Sequence, residues 1–403
     1  MEPIDPENKV DRIYRDGLRQ WLLEELTAAF TEARKGKIKT CDEHSFELHW
    51  LKNLVNLRDS ILEYRYEPSA SVSFVIFDPM VREIFAAPFR DRVVHHFLYN
   101  MQAGWWDRRF LYDSYSCRVG KGTLFGMRRA QKFMQKVTNN YAKKAYIVKL
   151  DIRGYFMSLP REKLYERVSW GLKQQFKDAM NDRMGYQMYK ICDFLWRRVL
   201  FDDPVSKAWK RGPVVNWSPG VLPPKKSLFG QPPGQGIVIG NLTSQLVSNI
   251  YLDQLDRFVF YNLGYKNYGR YVDDFFIMVP EEEYMKLKDD AMRIEEFLKR
   301  ELGLTLHRQK RYYQEVKNGM SFLGARVYPH CLCPSDRLQK KFNRAAIGLM
   351  YGYKDVESIV SYLGIMLHLD AGSLKKEVFE KNGWRLEEMV GEKSCGERGE
   401  KGR

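Results

Sequence analysis

Residues 267–279 read NYGRYVDDFFIMV, with Asp273 and Asp274 side by side inside an aromatic and aliphatic run. The flanking YGRY and FFIMV segments predict two strands of a hairpin, with the acidic pair at or near its turn. An unpaired carboxylate is expensive to bury, so it is normally neutralised, paired or bound to a metal. The hairpin therefore predicts a cation at its tip.

A second strand-borne carboxylate lies upstream. AYIVKLDIRGYF predicts a strand that ends at Asp151 and turns at Gly154. Carboxylates on rigid neighbouring strands are what a two-metal nucleotidyl transfer requires, and magnesium demands hard oxygen ligands of this kind. The other reading of a single Asp at a strand end is a turn residue; two such sites in one chain favour the metal.

Working outward, apolar residues recur at helical spacing from Arg12 to Ala33 (Leu18, Trp21, Leu22, Leu26, Phe30). HSFELHWLKNLVNLRDSILEY predicts a second helix, SVSFVIF a strand and REKLYERVSWGL a helix. Between Phe201 and Gly236 seven prolines and little periodicity predict a long ordered loop. Residues 241–262 resume a helical stripe, EEEYMKLKDDAMRIEEFLKRELG predicts a solvent-facing helix with carboxylates at its start, and all beyond Asp336 reads as helix (RLQKKFNRAAIGLMYGY, VESIVSYLGIMLHL, AGSLKKEVFEKN) up to the polar tail GEKSCGERGEKGR.

The chain has 403 residues, 44% hydrophobic and 14% aromatic, which excludes a disordered chain and is enough for more than one core. Lys and Arg number 66 against 51 acidic residues, a net charge of +15 and a pI near 9.3, which suits a polyanionic partner. Six scattered cysteines lack zinc-site spacing and predict free thiols in a reducing compartment. The polar N-terminus and the lack of a long apolar run predict a soluble, cytoplasmic protein without a membrane span.

YVDD resembles the Tyr-x-Asp-Asp signature of reverse transcriptases, and six further blocks follow that family's order across Phe74 to Pro329. REIFAAPFRDRVVHHFLYN and SYSCRVGKGT resemble the two fingers blocks, and KLDIRGYF the palm strand with the first catalytic Asp. GIVIGNLTSQLVSNIYLDQLD resembles the nucleotide-pocket loop and its helix; LGLTLHRQK and GMSFLGARVYP resemble the blocks after the catalytic hairpin. Within the bacterial and phage enzymes related to group II intron and retron reverse transcriptases, the segment IGNLTSQ has Ile239 where Gln is usual and Gln245 where Pro is usual. That form, with SLFG before it and SYLGIMLH in the C-terminal helices, is similar to the reverse transcriptases of diversity-generating retroelements.

The resemblance implies an α+β right-hand polymerase fold: an N-terminal helical segment over 1–67 leading into fingers at 68–144, a palm over 145–330 with the Pro-rich insertion at about 201–236, a helical thumb over 331–390 and a disordered tail at 391–403. It implies an RNA-directed DNA polymerase making adenine-mutagenic cDNA for diversification of a target gene; the alternative is a phage-defence or retron-like enzyme whose cDNA is never integrated. Asp151, Asp273 and Asp274 would be the catalytic and metal-binding carboxylates, with the Ile152 carbonyl as a further ligand for two Mg2+ ions, or Mn2+ in their place. Tyr271 and Val272 complete the primer-terminus hairpin. Arg82 would meet the triphosphate, and Phe156 would exclude a 2′-hydroxyl, its other reading being core packing. Arg118 would touch nucleotide or template unless it is a solvated surface Arg, and Lys310 would serve the leaving pyrophosphate unless it is an exposed helix-end Lys. Ile239, Gly240 and Gln245 would line the nucleotide pocket. Implied partners are a structured template RNA, the cDNA and its RNA–DNA hybrid, dNTPs, and an oligomer of a small basic helical accessory protein.

Overall fold

The computed structural model describes residues 9–36, 39–78, 80–350 and 356–370. Its strands in chain order are β1 (Val72–Ile76), β2 (Arg82–Ala86), β3 (Ala145–Asp151), β4 (Trp209–Arg211), β5 (Tyr268–Tyr271), β6 (Asp274–Pro280), β7 (Tyr312–Glu315), β8 (Met320–Phe322), β9 (Ala325–Val327) and β10 (Leu332–Pro334). They fall in two compact units, neither continuous in sequence. One unit comprises Met1–Tyr112, Ile152–Phe258 and Arg293–His307; the other comprises Asp113–Asp151, Val259–Met292 and Arg308–Arg403.

The first unit is mainly helical. The helix Lys9–Ala33 buries Leu22, Leu26, Ala29, Phe30 and Ala33, a spacing of three and four residues that lays one apolar stripe toward the core. Its partner is the helix Phe89–Asp107, met through Trp21 against Phe97 and Phe30 against Phe89 in edge-to-face contacts. The helix predicted over 44–64 is two helices, Cys41–Leu48 and Trp50–Leu62. At His49 the backbone leaves the helical region (φ −130°, ψ 37°), and the Phe46 carbonyl at the break accepts a hydrogen bond from the Asn53 side chain.

The segment 201–236 is not a featureless loop. It forms the short helix Pro204–Lys207, a series of single 3-10 turns and the strand β4, which pairs in parallel with β1. The resulting sheet has the order β2-β1-β4. Prolines punctuate the stretch, and the strand falls within the proline-free run between Pro204 and Pro213.

The second unit is built on an antiparallel sheet in the order β5-β6-β3-β7. β3 and β6 are fully paired from Ala145↔Pro280 to Asp151↔Asp274, and both are almost continuously apolar because both faces are covered. Met127, Phe133 and Met134 of the helix Thr123–Thr138 join one core with Ile147, Phe276, Phe322 and, from the helix Asp336–Met350, Phe342. The helix Val356–Met366 closes that core through Ile359 and Met366. The segment AGSLKKEVFEKN and the polar tail lie outside the described residues. No described helix is long and apolar enough to cross a membrane.

Candidate active site

The predicted hairpin is present as β5 and β6, closed by the pair Tyr271↔Asp274 with Val272 and Asp273 as its two turn residues. Val272 takes φ +55°, a left-handed conformation that is an outlier for a β-branched residue. The turn is held from below by Arg270, a fully buried Arg whose Nη1 donates to the Val272 carbonyl (3.0 Å) and whose Nη2 donates to Ser114 Oγ (3.1 Å). Ser114 belongs to the SYSCRVGKGT segment, which runs beside β5: Tyr115 N donates to the Arg270 carbonyl and Arg270 N to the Asp113 carbonyl. Arg118 folds back there, half-buried, donating from Nη1 to the Ser114 carbonyl (2.9 Å).

The antiparallel register sets Asp151 directly opposite Asp274, with Asp273 one residue away in the turn. Three carboxylates thus meet at the end of two paired strands. Burial, then the proximity of Asp151 and Asp274, pushes the Asp273 carboxyl up to about 7. Burial also raises Asp274, against the opposing pull of Lys149. Lys149 Nζ lies 2.9 Å from Asp274 Oδ2 and donates to the Ser321 carbonyl at 2.8 Å, while Lys310 Nζ pairs with Asp151 Oδ2. Asp274 Oδ1 is buried without a hydrogen-bond partner.

Two lysines therefore hold the outer carboxylates, and no group of three or more His, Cys, Asp or Glu side chains among the described residues is gathered as a preformed metal cage. The donor chemistry nevertheless suits a hard divalent cation that keeps part of its water shell, since one or two carboxylates suffice for such an ion. A cation beside Asp273 would also relieve the repulsion that raises its carboxyl.

The remaining candidate residues lie in the first unit. Gly154 turns the chain at φ +56°, and Phe156 follows in the short helix Tyr155–Ser158, half-buried, with its carbonyl accepting from Ile237 N (2.9 Å). Ile239 packs with Val238 and Phe229 on a small core of Phe85, Met157 and Leu228, and its carbonyl accepts from Phe85 N of β2 (2.9 Å). Gly240 has φ +131°, and a Cβ there would stand 2.4 Å from the Phe85 carbonyl oxygen. Only glycine fits so close a backbone approach. Gln245 is exposed near the start of the helix Leu242–Arg257, and Arg82 is exposed on β2. The backbone of Ile152 bridges to Leu306.

Three supporting residues escaped the sequence reading. Lys149 and Arg270 were visible as lone cations inside apolar or aromatic strands, a pattern that asks for an internal partner. Glu83, which follows Arg82 in REIFA, is fully buried, and burial raises its carboxyl. It accepts from Ser227 Oγ (2.8 Å) and Leu228 N (2.7 Å), so it anchors the SLFG turn beneath β2.

Among solved structures the chain is similar to yeast telomerases. It matches apo telomerase from Candida tropicalis at 11% identity and TM-score 0.47, covering 94% of this chain and 77% of that one. The same telomerase in complex with a TWJ fragment of telomeric RNA matches at 11% and 0.46, and the Candida albicans complex at 10% and 0.44. The chain spans 56% and 60% of those two proteins, and 79% and 82% of it is covered. No protein-family model and no curated protein matches the chain.

Proposed function

We propose that the chain is an RNA-directed DNA polymerase, and more narrowly the error-prone reverse transcriptase of a diversity-generating retroelement. The observation that carries the polymerase reading is the register Asp151↔Asp274 with Asp273 in the adjoining turn. It puts three carboxylates at one end of a buried sheet, where no core needs them.

Asp151 and Asp273 would hold the magnesium ions, with the Ile152 carbonyl as a further ligand. When bound, the ions supply charge stabilisation to the attacking and leaving oxygens of a nucleotidyl transfer. Asp273 would serve as a ligand in its ionised form, which burial and the neighbouring Asp151 and Asp274 disfavour until a cation is bound. Lys149 ties Asp274 to the Ser321 carbonyl and so fixes the carboxylate nearest the primer terminus. Lys310 pairs with Asp151, and its ammonium would serve the oxygens of the triphosphate and the leaving pyrophosphate. Arg82 supplies an exposed planar cation for phosphate oxygens, and Phe156 provides the floor beneath the deoxyribose.

The narrower reading is supported by Ile239. Its side chain packs against an apolar cluster, and, having no polar atom, it would offer the nascent base pair contact area without a hydrogen bond. A pocket that withholds a polar contact leaves no group unpaired when the wrong geometry binds, and so discriminates less.

The test is extension of a DNA primer on an RNA template with magnesium, followed by sequencing of the cDNA. Wild type should extend with errors concentrated opposite adenine, Asp273→Asn should not extend, and Ile239→Gln should lower the error frequency several-fold, in line with one hydrogen bond of about 0.5–1.5 kcal/mol. Extension by Asp273→Asn at the wild-type rate would refute the polymerase assignment. Equal accuracy opposite all four bases by wild type would refute the mutagenic one and leave the defence or retron-like enzyme.

A further inference from the structure

The sheet β2-β1-β4 has two unlike faces. Register pairs Val72 with Ala86 and Trp209, and Phe74 with Ile84 and Arg211. Alternation therefore gathers these six side chains on one face. On the opposite face Ser73, Glu83 and Phe85 are fully buried, and the exposed Lys210 sets its ammonium 4.0 Å from the centre of the Phe229 ring. The first face is open and lines a groove of about 860 Å3 with Arg92 and the pocket residues Gly240 and Gln245.

The chemistry of this face is selective. Trp209 is 73% exposed although β4 has a sheet to pack on. The Arg211 guanidinium lies 5.3 Å from the centre of the Phe74 ring. Arg211 and Arg82, which follows Ile84 outward on the same face, have no acidic partner among the described residues. The acidic groups that reach the groove are engaged: Glu32 accepts from Lys35, and Asp42 accepts from Phe89 N. An exposed Trp209 beside the unpaired Arg211, itself set against the half-buried Phe74 ring, supplies the elements of a stacking site for a base with a phosphate alongside.

We propose that this face, completed by β4, binds an unpaired stretch of RNA, with Trp209 stacking on a base and Arg211 contacting the backbone. The proposal deepens the polymerase reading, on which it rests for the identity of the strand as template. Stacking tolerates any base, so the platform takes single strands without sequence preference, and it binds duplex poorly because paired bases do not offer their faces.

The experiment compares two RNA–DNA hybrids binding to the full chain by fluorescence anisotropy at fixed salt, one with a single-stranded 5′ RNA extension beyond the primer terminus and one blunt. Trp209→Ala should weaken binding of the extended hybrid about tenfold and leave the blunt hybrid within about twofold, and Trp209→Phe should recover most of the loss. Arg211→Ala should lower the slope of log affinity against log salt by about 0.7 on the extended hybrid. Because Trp209 is exposed, its variants should melt with wild type, which a thermal scan checks. Unchanged affinity of Trp209→Ala for the extended hybrid, or an equal loss on both hybrids, overturns the platform. Primer extension by wild type on the extended hybrid tests the polymerase reading separately.

Discussion

Asp273 is the group whose removal should make the protein more stable. Its ordinary carboxyl value of 3.8 is pushed to about 7 by burial and by Asp151 and Asp274. The native state therefore holds a proton between pH 4 and 7 that the unfolded chain has already released. With more protons bound to the native state, stability is complete below about pH 4 and declines as pH rises through 7. A change from 3.8 to about 7 corresponds to about 4 kcal/mol. The residue is only half-buried by surface area, and solvent screening removes roughly half of that, leaving about 2 kcal/mol. Asp273→Asn lacks the ionisation. In chelator, its urea midpoint should match wild type near pH 4 and exceed it by the equivalent of about 2 kcal/mol at pH 8. Magnesium should then stabilise wild type more than the variant, since a ligand of the native state adds RT ln(1 + [L]/Kd). A constant difference across pH, or a variant less stable at pH 8, would refute the idea that burial and the neighbouring carboxylates disfavour the ionised Asp273.

Lys149→Met should leave the Asp274 carboxylate unpaired and destabilise the fold by about 1–3 kcal/mol above neutral pH, less near pH 4, as read from denaturant midpoints. Gly240→Ala should lose roughly 2 kcal/mol or more, because its Cβ meets the Phe85 carbonyl at 2.4 Å and its φ is positive; a melting temperature equal to wild type would contradict that approach. Phe156→Ala should raise ribonucleotide use relative to deoxyribonucleotide use; an unchanged ratio in a folded variant returns Phe156 to a packing role.

How much of this was legible in the sequence varied with the range of the interaction. The hairpin over 268–280 and the strand ending at Asp151 were visible because strand alternation, turn residues and lone charges are local signals. The break at His49 was not, because the apolar stripe continues across it and only the backbone shows the interruption. β4 was hidden for a different reason: three residues carry no periodicity, and WKR becomes a strand only because β1, far away in sequence, presents a free edge. The partners of Lys149, Arg270 and Glu83 were invisible for the same cause. A sequence shows that a buried charge needs a partner, and pairing across distant segments decides which one it gets.

The discontinuity of the first unit bears on how the protein is made. Its third segment, Arg293–His307, supplies the Leu302 carbonyl that receives the Tyr251 hydroxyl and the Thr305 carbonyl that receives Arg153 N. On a ribosome adding about 5–20 residues per second, the first unit's helices within 9–112 and 152–258 therefore wait several seconds for the strip that seals them, with the intervening hairpin emerging meanwhile. Apolar surface on Leu298, Leu302 and Leu304, fully buried in the finished protein, has its counterpart exposed throughout that interval. A hydrophobic holdase should crosslink to the 152–258 segment in nascent chains halted before residue 293 and lose that crosslink once residue 307 has emerged, while the second unit still awaits its own last segment.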